Sequence, residues 1–227
     1  TRKDVNMRRR ISRETKLKEK RGKGTGAEYR PWIKARELNS TGVTHNIIDW
    51  KHGRTIELLS QGEAWFYYML RWRDDVIDIR EQYPLDLSET NLIAEKAGLM
   101  KVDKGEDNMT TDLLVTLSDG SYMAYSIKDS RKIMESPRTV EKLWIEKMYW
   151  NAHGISWKQI YKTDLDRSYA DNIRLCTEYY DASRVFDEVS KLKHLIATKQ
   201  IKVDMECGML DFSKLVRIYR KEIAWNK

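Results

Sequence analysis

The chain has 227 residues, 41% hydrophobic and 34% charged, with a formal net charge of +7. That content supports a folded core and argues against intrinsic disorder. No apolar run reaches membrane-span length, and no leader-like segment opens the chain, so a cytoplasmic protein without membrane contact is expected. Cys176 and Cys207 are too few for a disulfide framework, and the four histidines are too dispersed for a zinc site.

The charge is concentrated at the start. Residues 1–24 hold eleven Lys or Arg against three Asp or Glu, and the remainder is close to neutral. This reads as a basic arm that binds DNA phosphates through Arg8, Arg9 and Arg10, with part of it able to become helical on contact. A solubilising tail is the plainer alternative. RGKGTG closes the arm as a flexible basic stretch, and Trp32 and Ile33 of YRPWI are expected to anchor it. Lys23 and Arg30, nearer the folded body, are candidates for positioning phosphates.

From Asn46 the pattern is strand, Lys-His-Gly turn, strand. A helix follows, with Ser60 as N-cap and Glu63 three residues on, in the arrangement of a capping box. Val76–Gln82 reads as a short strand ended by Tyr83-Pro84. Residues 85–110 suggest a helical excursion and a polar loop. Two strands around a Ser-Asp-Gly turn span Asp112–Ser130. Ser136 then caps a helix with Pro137 in its first turn and Gly154 as its stop. Ile155–Thr163 is a strand that returns to the sheet by a crossover. Beyond residue 166 two helical stretches, a small hairpin at Ile201–Phe212 and a last amphipathic segment suggest a winged-helix-like module. The fold class is α/β, divided as arm 1–24, main domain 25–166 and C-terminal domain 167–227.

The second hairpin can be tested by geometry. A two-residue Asp119-Gly120 turn places Asp112 opposite Ile127. A three-residue turn with left-handed Gly120 pairs Leu117 with Ser121, and Asp112 then lies opposite Ser126 and diagonal to Lys128. Only the second register builds a site. In it, Asp112 and Glu63 supply carboxylates for Mg²⁺, with Mn²⁺ as a substitute. A hydroxyl such as Ser126 and a backbone carbonyl such as that of Ile127 complete the ligands, and Lys128 orients or polarises the attacking water. Glu63 as a simple capping residue, and Asp112 and Lys128 as strand-edge charges, remain the alternatives. Composition and spacing reach no further than a possible metal-dependent nuclease.

RGKGTGAEYRPWI, HGRTIELLSQGEAWFYYMLRW, VIDIREQYPL, TDLLVTLSDG, SIKDS and RTVEKLWIEKMYW, in that order, resemble the TnsA family, the endonuclease subunits of heteromeric cut-and-paste transposases. The resemblance implies a restriction-endonuclease-like PD-(D/E)xK core in which Glu63, Asp112 and Lys128 are the catalytic residues. It also implies cleavage of the 5′ strands at double-stranded transposon ends. The partners would be a TnsB-like DDE transposase and a TnsC-like AAA+ ATPase, the latter through the C-terminal domain. Ser126 departs from the pattern, since such families place an acid or glutamine there. A non-catalytic DNA-binding assembly subunit and a stand-alone restriction-like nuclease are the competing functions.

Overall fold

A computed structural model describes residues 11–37 and 43–224. They divide into two compact units, one built from the described residues up to 64 together with 74–164, the other from 65–73 and the described residues from 165 on. Among the described residues no helix is long and apolar enough to cross a membrane.

In the first unit, β1 (His45–Ile48) and β2 (Thr55–Leu58) form a two-stranded antiparallel sheet. Its turn closes on left-handed Gly53, whose N–H reaches the Asp49 carbonyl. A second sheet has the order β3 (Val76–Pro84), β4 (Thr110–Leu117), β5 (Tyr122–Lys128), β6 (Ser156–Tyr161). The first three strands are antiparallel, and β6 joins β5 in parallel. A parallel neighbour requires a crossover, and α4 (Pro137–Ala152) supplies it. α4 starts where sequence placed it, because the Ser136 hydroxyl accepts the Thr139 N–H and proline occupies the first turn. β3 runs two residues further than expected: Tyr83 and Pro84 still pair, with Thr111 and Thr110. Proline is tolerated at that terminal, edge position because nothing there demands its missing N–H.

The main core lies where α3 (Leu87–Lys96) and α4 cover one face of this sheet. Leu114 and Ala124 from the strands meet Ala94 from α3 and Ile145, Tyr149 and Trp150 from α4. Side chains alternate along a strand, so Asp112 shares its face with Leu114, and Ser126 with Ala124. The polar pair therefore continues the row that the core begins.

The segment expected to be a free arm is structured in its described part. α1 (Arg13–Lys18) is already helical, capped by Ser12. Lys16 is buried and pairs with Asp107 at 2.7 Å. Arg21, also buried, forks onto Glu37 with bonds of 2.6 and 2.7 Å and reaches Glu19. Three cations counted as a DNA-binding surplus, Arg13 among them through Asn108, thus hold the chain to itself. RGKGTG is likewise not loose: Gly22, Gly24 and Gly26 are left-handed, and Gly22 sits directly against the Pro84 ring. Trp32 is buried, as expected, and donates to Asp107. Arg8, Arg9 and Arg10 lie outside the described residues.

α2 (Gln61–Trp72) contributes its start to the first unit and its remainder to the second. The second unit adds α5 (Arg167–Thr177), α6 (Glu188–Ala197), α7 (Phe212–Ile218) and α8 (Arg220–Ile223). The hairpin expected near 201–212 is absent: residues 201–211 are turns and irregular chain. Asn172 gives the reason. Buried on α5, its amide donates to the Met205 and Gly208 carbonyls and accepts the Leu210 N–H. One side chain thereby satisfies backbone groups that a partner strand would otherwise bind. The winged-helix expectation is reduced to its helices.

Candidate active site

The three-residue turn decides where Asp112 points. Leu117 N–H bonds to the Ser121 carbonyl at 2.9 Å, Gly120 N–H returns to Leu117, and Gly120 has φ of 84°. The β4–β5 ladder that follows pairs Thr116 with Tyr122 and Leu113 with Tyr125. This register carries Asp112 opposite Ser126. Its Oδ2 accepts the Ile127 N–H at 2.6 Å, the Lys128 ammonium at 3.2 Å and, at 3.5 Å, the Ser126 hydroxyl. Oδ1 accepts no hydrogen bond from the described residues.

Glu63 arrives from the start of α2. Its Oε2 accepts the Leu59 N–H at 2.9 Å and the Gln82 amide at 3.3 Å, while Oε1 accepts the Ser60 hydroxyl at 2.9 Å. The capping arrangement is real, since Ser60 Oγ accepts the Glu63 N–H. It also leaves the acid poised for more: of about four lone-pair positions on a carboxylate, three are filled and one on Oε1 is open.

A third acid was not foreseen. Glu146, on the inner face of α4, is buried and accepts the Thr111 hydroxyl at 2.6 Å, while Trp150 Nε1 donates to the same Thr111 oxygen. Its signal was faint but present: it occupies the buried stripe of α4, three residues after Leu143 and three before Tyr149. Gln82, whose amide bridges Glu63 and Thr110, gave no signal at all.

The electrostatics are those of crowded acids around one base. Burial, then the charge of Asp112, raise both Glu63 and Glu146 to about 7. Burial opposes the Lys128 charge, yet Asp112, Glu146 and Glu63 together hold its pKa above the ordinary value. Asp112, Lys128 and Glu146 line a cleft of about 270 Å³ with Asp103, Thr110, Thr139 and Lys142.

The donor chemistry suits a hard cation. All candidate ligands are oxygens, and Asp112 and Glu63 each keep an unused acceptor position. Two buried carboxyls, Glu63 and Glu146, and the half-buried Asp112 stand against one ammonium, an imbalance that a divalent ion would relieve. Among the described residues no cluster of three or more His, Cys, Asp or Glu side chains is arranged to hold a metal by itself. The oxygens present would suit a hard divalent cation that completes its shell with water and phosphate.

Lys23 and Arg30 are exposed and lie elsewhere. With Lys20, Gly24 and Tyr29 they line a separate cleft of about 430 Å³. The chain that follows this cleft reaches the site's neighbourhood at Trp32, whose N–H donates to the Gln82 carbonyl. Glu63, Asp112, Ser126, Ile127 and Lys128 are thus assembled, and Lys23 and Arg30 line a different cleft.

Comparison with known sequences is consistent with this arrangement. The family model described as "TnsA-like endonuclease N terminal" matches residues 73–162. That span carries Asp112, Ser126, Lys128 and Glu146 but not Glu63. The transposon Tn7 transposition protein TnsA of Escherichia coli is 35% identical over 191 residues, covering 81% of this chain and 70% of that protein.

Proposed function

Because the chain belongs to the TnsA family of transposition endonucleases, we propose that it cleaves the 5′ strands at transposon ends by divalent-metal-dependent hydrolysis. In this reading residues 25–166 form a restriction-endonuclease-like PD-(D/E)xK domain. The observation that carries the reading is the register-set grouping of Asp112, Ser126 and Lys128 beside buried Glu63.

Asp112 and Glu63 would hold Mg²⁺ or Mn²⁺, with the Ser126 hydroxyl and the Ile127 carbonyl as neutral oxygens. The ion, when bound, supplies charge stabilisation for the pentacoordinate phosphate and its leaving oxygen. The chain supplies the positioning. Lys128, kept charged by the surrounding acids, lines the cleft, where it can hold the attacking water or a phosphate oxygen. The Ile127 N–H fixes Asp112 through Oδ2, which leaves Oδ1 without a hydrogen bond from the described residues. Ser126 is short, and its hydroxyl already leans toward Asp112, so its part in ligation is supporting. Lys142, together with Lys23, Arg30 and Arg8–Arg10, would track the DNA backbone without reading sequence.

A DDE transposase of the TnsB kind would cut the other strands, and an AAA+ ATPase of the TnsC kind would dock on the helical domain at 167–227. The setting is the bacterial cytoplasm, at the nucleoid. The test is cleavage of labelled transposon-end DNA with both partners and Mg²⁺. Asp112→Ala should reduce 5′-strand cutting by about 10³-fold, in the range for loss of a charge-stabilising group, with complex assembly intact. Undiminished cutting would reject the site, and metal-independent assembly without any cutting by the wild type would favour a non-catalytic subunit.

A further inference from the structure

Gln82 stands in the middle of β3 in a conformation strands do not use. Its φ is 46°, in the left-handed region, although it is not glycine and a strand continues on both sides. Such a conformation is strained for a non-glycine residue and persists only where its surroundings impose it. Three interactions do so. The Gln82 carbonyl accepts the Trp32 N–H at 3.2 Å. Its side-chain Oε1 accepts the Thr110 hydroxyl at 3.1 Å, and Nε2 donates to Glu63 Oε2 at 3.3 Å. The side chain is 2% exposed, so no solvent competes for either bond.

The ladder places this residue beside the second acid as well. Glu81 pairs with Leu113 and Tyr83 with Thr111, which leaves Gln82 across from Asp112. Gln82, Asp112 and Ser126 therefore form one polar row across three strands. An amide here has a property no carboxylate could offer. It donates to one acid while adding no charge opposite another. Thr110 bonded to Oε1 fixes which end of the amide faces Glu63.

We propose that Gln82 is a positioning residue for the nuclease site, filling Oε2 of Glu63 together with the Leu59 N–H so that Oε1 is left to a hard cation. The inference rests on the assignment of Glu63 and Asp112 as metal-holding acids. The left-handed kink is then a working part of the site: it turns the side chain of Gln82 onto Glu63 while Trp32 holds the backbone. Without this bond Leu59 and Ser60 still hold Glu63, but a position opens on Oε2 and the two acids no longer offer one fixed pair of acceptors. Loss of a hydrogen-bond partner of this kind lowers metal affinity by about tenfold or more.

The experiment is Mn²⁺ titration of the full chain by calorimetry, without DNA, on wild type, Gln82→Met, Thr110→Val, Glu63→Gln and Asp112→Ala. Gln82→Met keeps the volume and removes the donor. Thr110→Val loosens the amide from the far side and keeps the test open should Gln82→Met fail to fold. The expected result is Mn²⁺ affinity weakened about tenfold in Gln82→Met and less, in the same direction, in Thr110→Val. With Glu63→Gln as background, adding Gln82→Met should change the affinity no further, because the carboxylate it orients is gone. A merely structural role would lower the melting temperature and leave Mn²⁺ affinity at the wild-type value, and that result overturns the inference. If Asp112→Ala and Glu63→Gln also bind Mn²⁺ like the wild type, the site assignment itself falls, and the two failures are distinguished in one series.

Discussion

Replacing Glu146 with glutamine should stabilise the protein, and by an amount that depends on pH. The carboxyl is buried on α4 and raised from 4.5 to about 7, first by burial and then by the charge of Asp112. Between those two values the folded chain keeps a proton that the unfolded chain has lost. The stability Glu146 confers is therefore complete below pH 4.5 and is lost as pH rises through about 7. The full rise amounts to roughly 3 kcal/mol against the ionised form, at about 1.4 kcal/mol per unit. Glutamine has no such loss and can keep a hydrogen bond with Thr111. The variant's advantage should grow from under about 1 kcal/mol at pH 5 to roughly 3 kcal/mol at pH 8 by linkage. For a chain of this size that is about 5–10 °C of melting temperature. Thermal unfolding followed by circular dichroism in EDTA at pH 5, 6.5 and 8 measures it. A melting-temperature gap that stays constant with pH would refute the assignment of Glu146 as a carboxyl that is forced to ionise among other acids.

Two glycines with the same backbone sign should respond differently. Gly120→Ala meets open space at the turn and should cost about 1 kcal/mol for the left-handed backbone alone. Gly22→Ala would drive its Cβ into the Pro84 ring and should cost several times more, so equal melting temperatures would contradict the packing described. Lys16→Met should destabilise by about 3–5 kcal/mol at pH 7, because it strips a buried partner from Asp107. Asp107 is buried, which alone would raise its pKa, but Lys16 and its other donors hold it below the ordinary value. The contribution of the pair is present above pH 3.8 and fades as acid drives the pH through the lowered value, so wild type and variant should converge in acid melts. Deleting residues 1–10 should lower the log–log salt slope of DNA binding by about 0.9 for each phosphate that the arm no longer neutralises. An unchanged slope would remove Arg8, Arg9 and Arg10 from the interface.

What the sequence determined by itself was local. Ser60 and Ser136 start their helices because a hydroxyl can satisfy the nearest N–H groups whatever the rest of the chain does. Gly120 fixes the hairpin register because few residues other than glycine take that turn position easily. The register alone then carries Asp112 to Ser126 and Lys128, so half of the candidate site was legible fourteen to sixteen residues at a time. The parallel return of β6 followed from a helix that had to cross the sheet. The remainder depended on partners remote in sequence. Lys16 looked like one more cation of a DNA-binding arm until Asp107, 91 residues away, neutralised it. The expected hairpin near residue 201 dissolved because a single amide on α5 bonds its backbone. Glu146 and Gln82 joined the site only when α4 and β3 were laid against β4, since burial and a neighbouring charge belong to the packed chain and to no segment of it. Short-range hydrogen bonding wrote the elements into the sequence, and the long-range crowding of acids around Lys128 was decided by the tertiary structure.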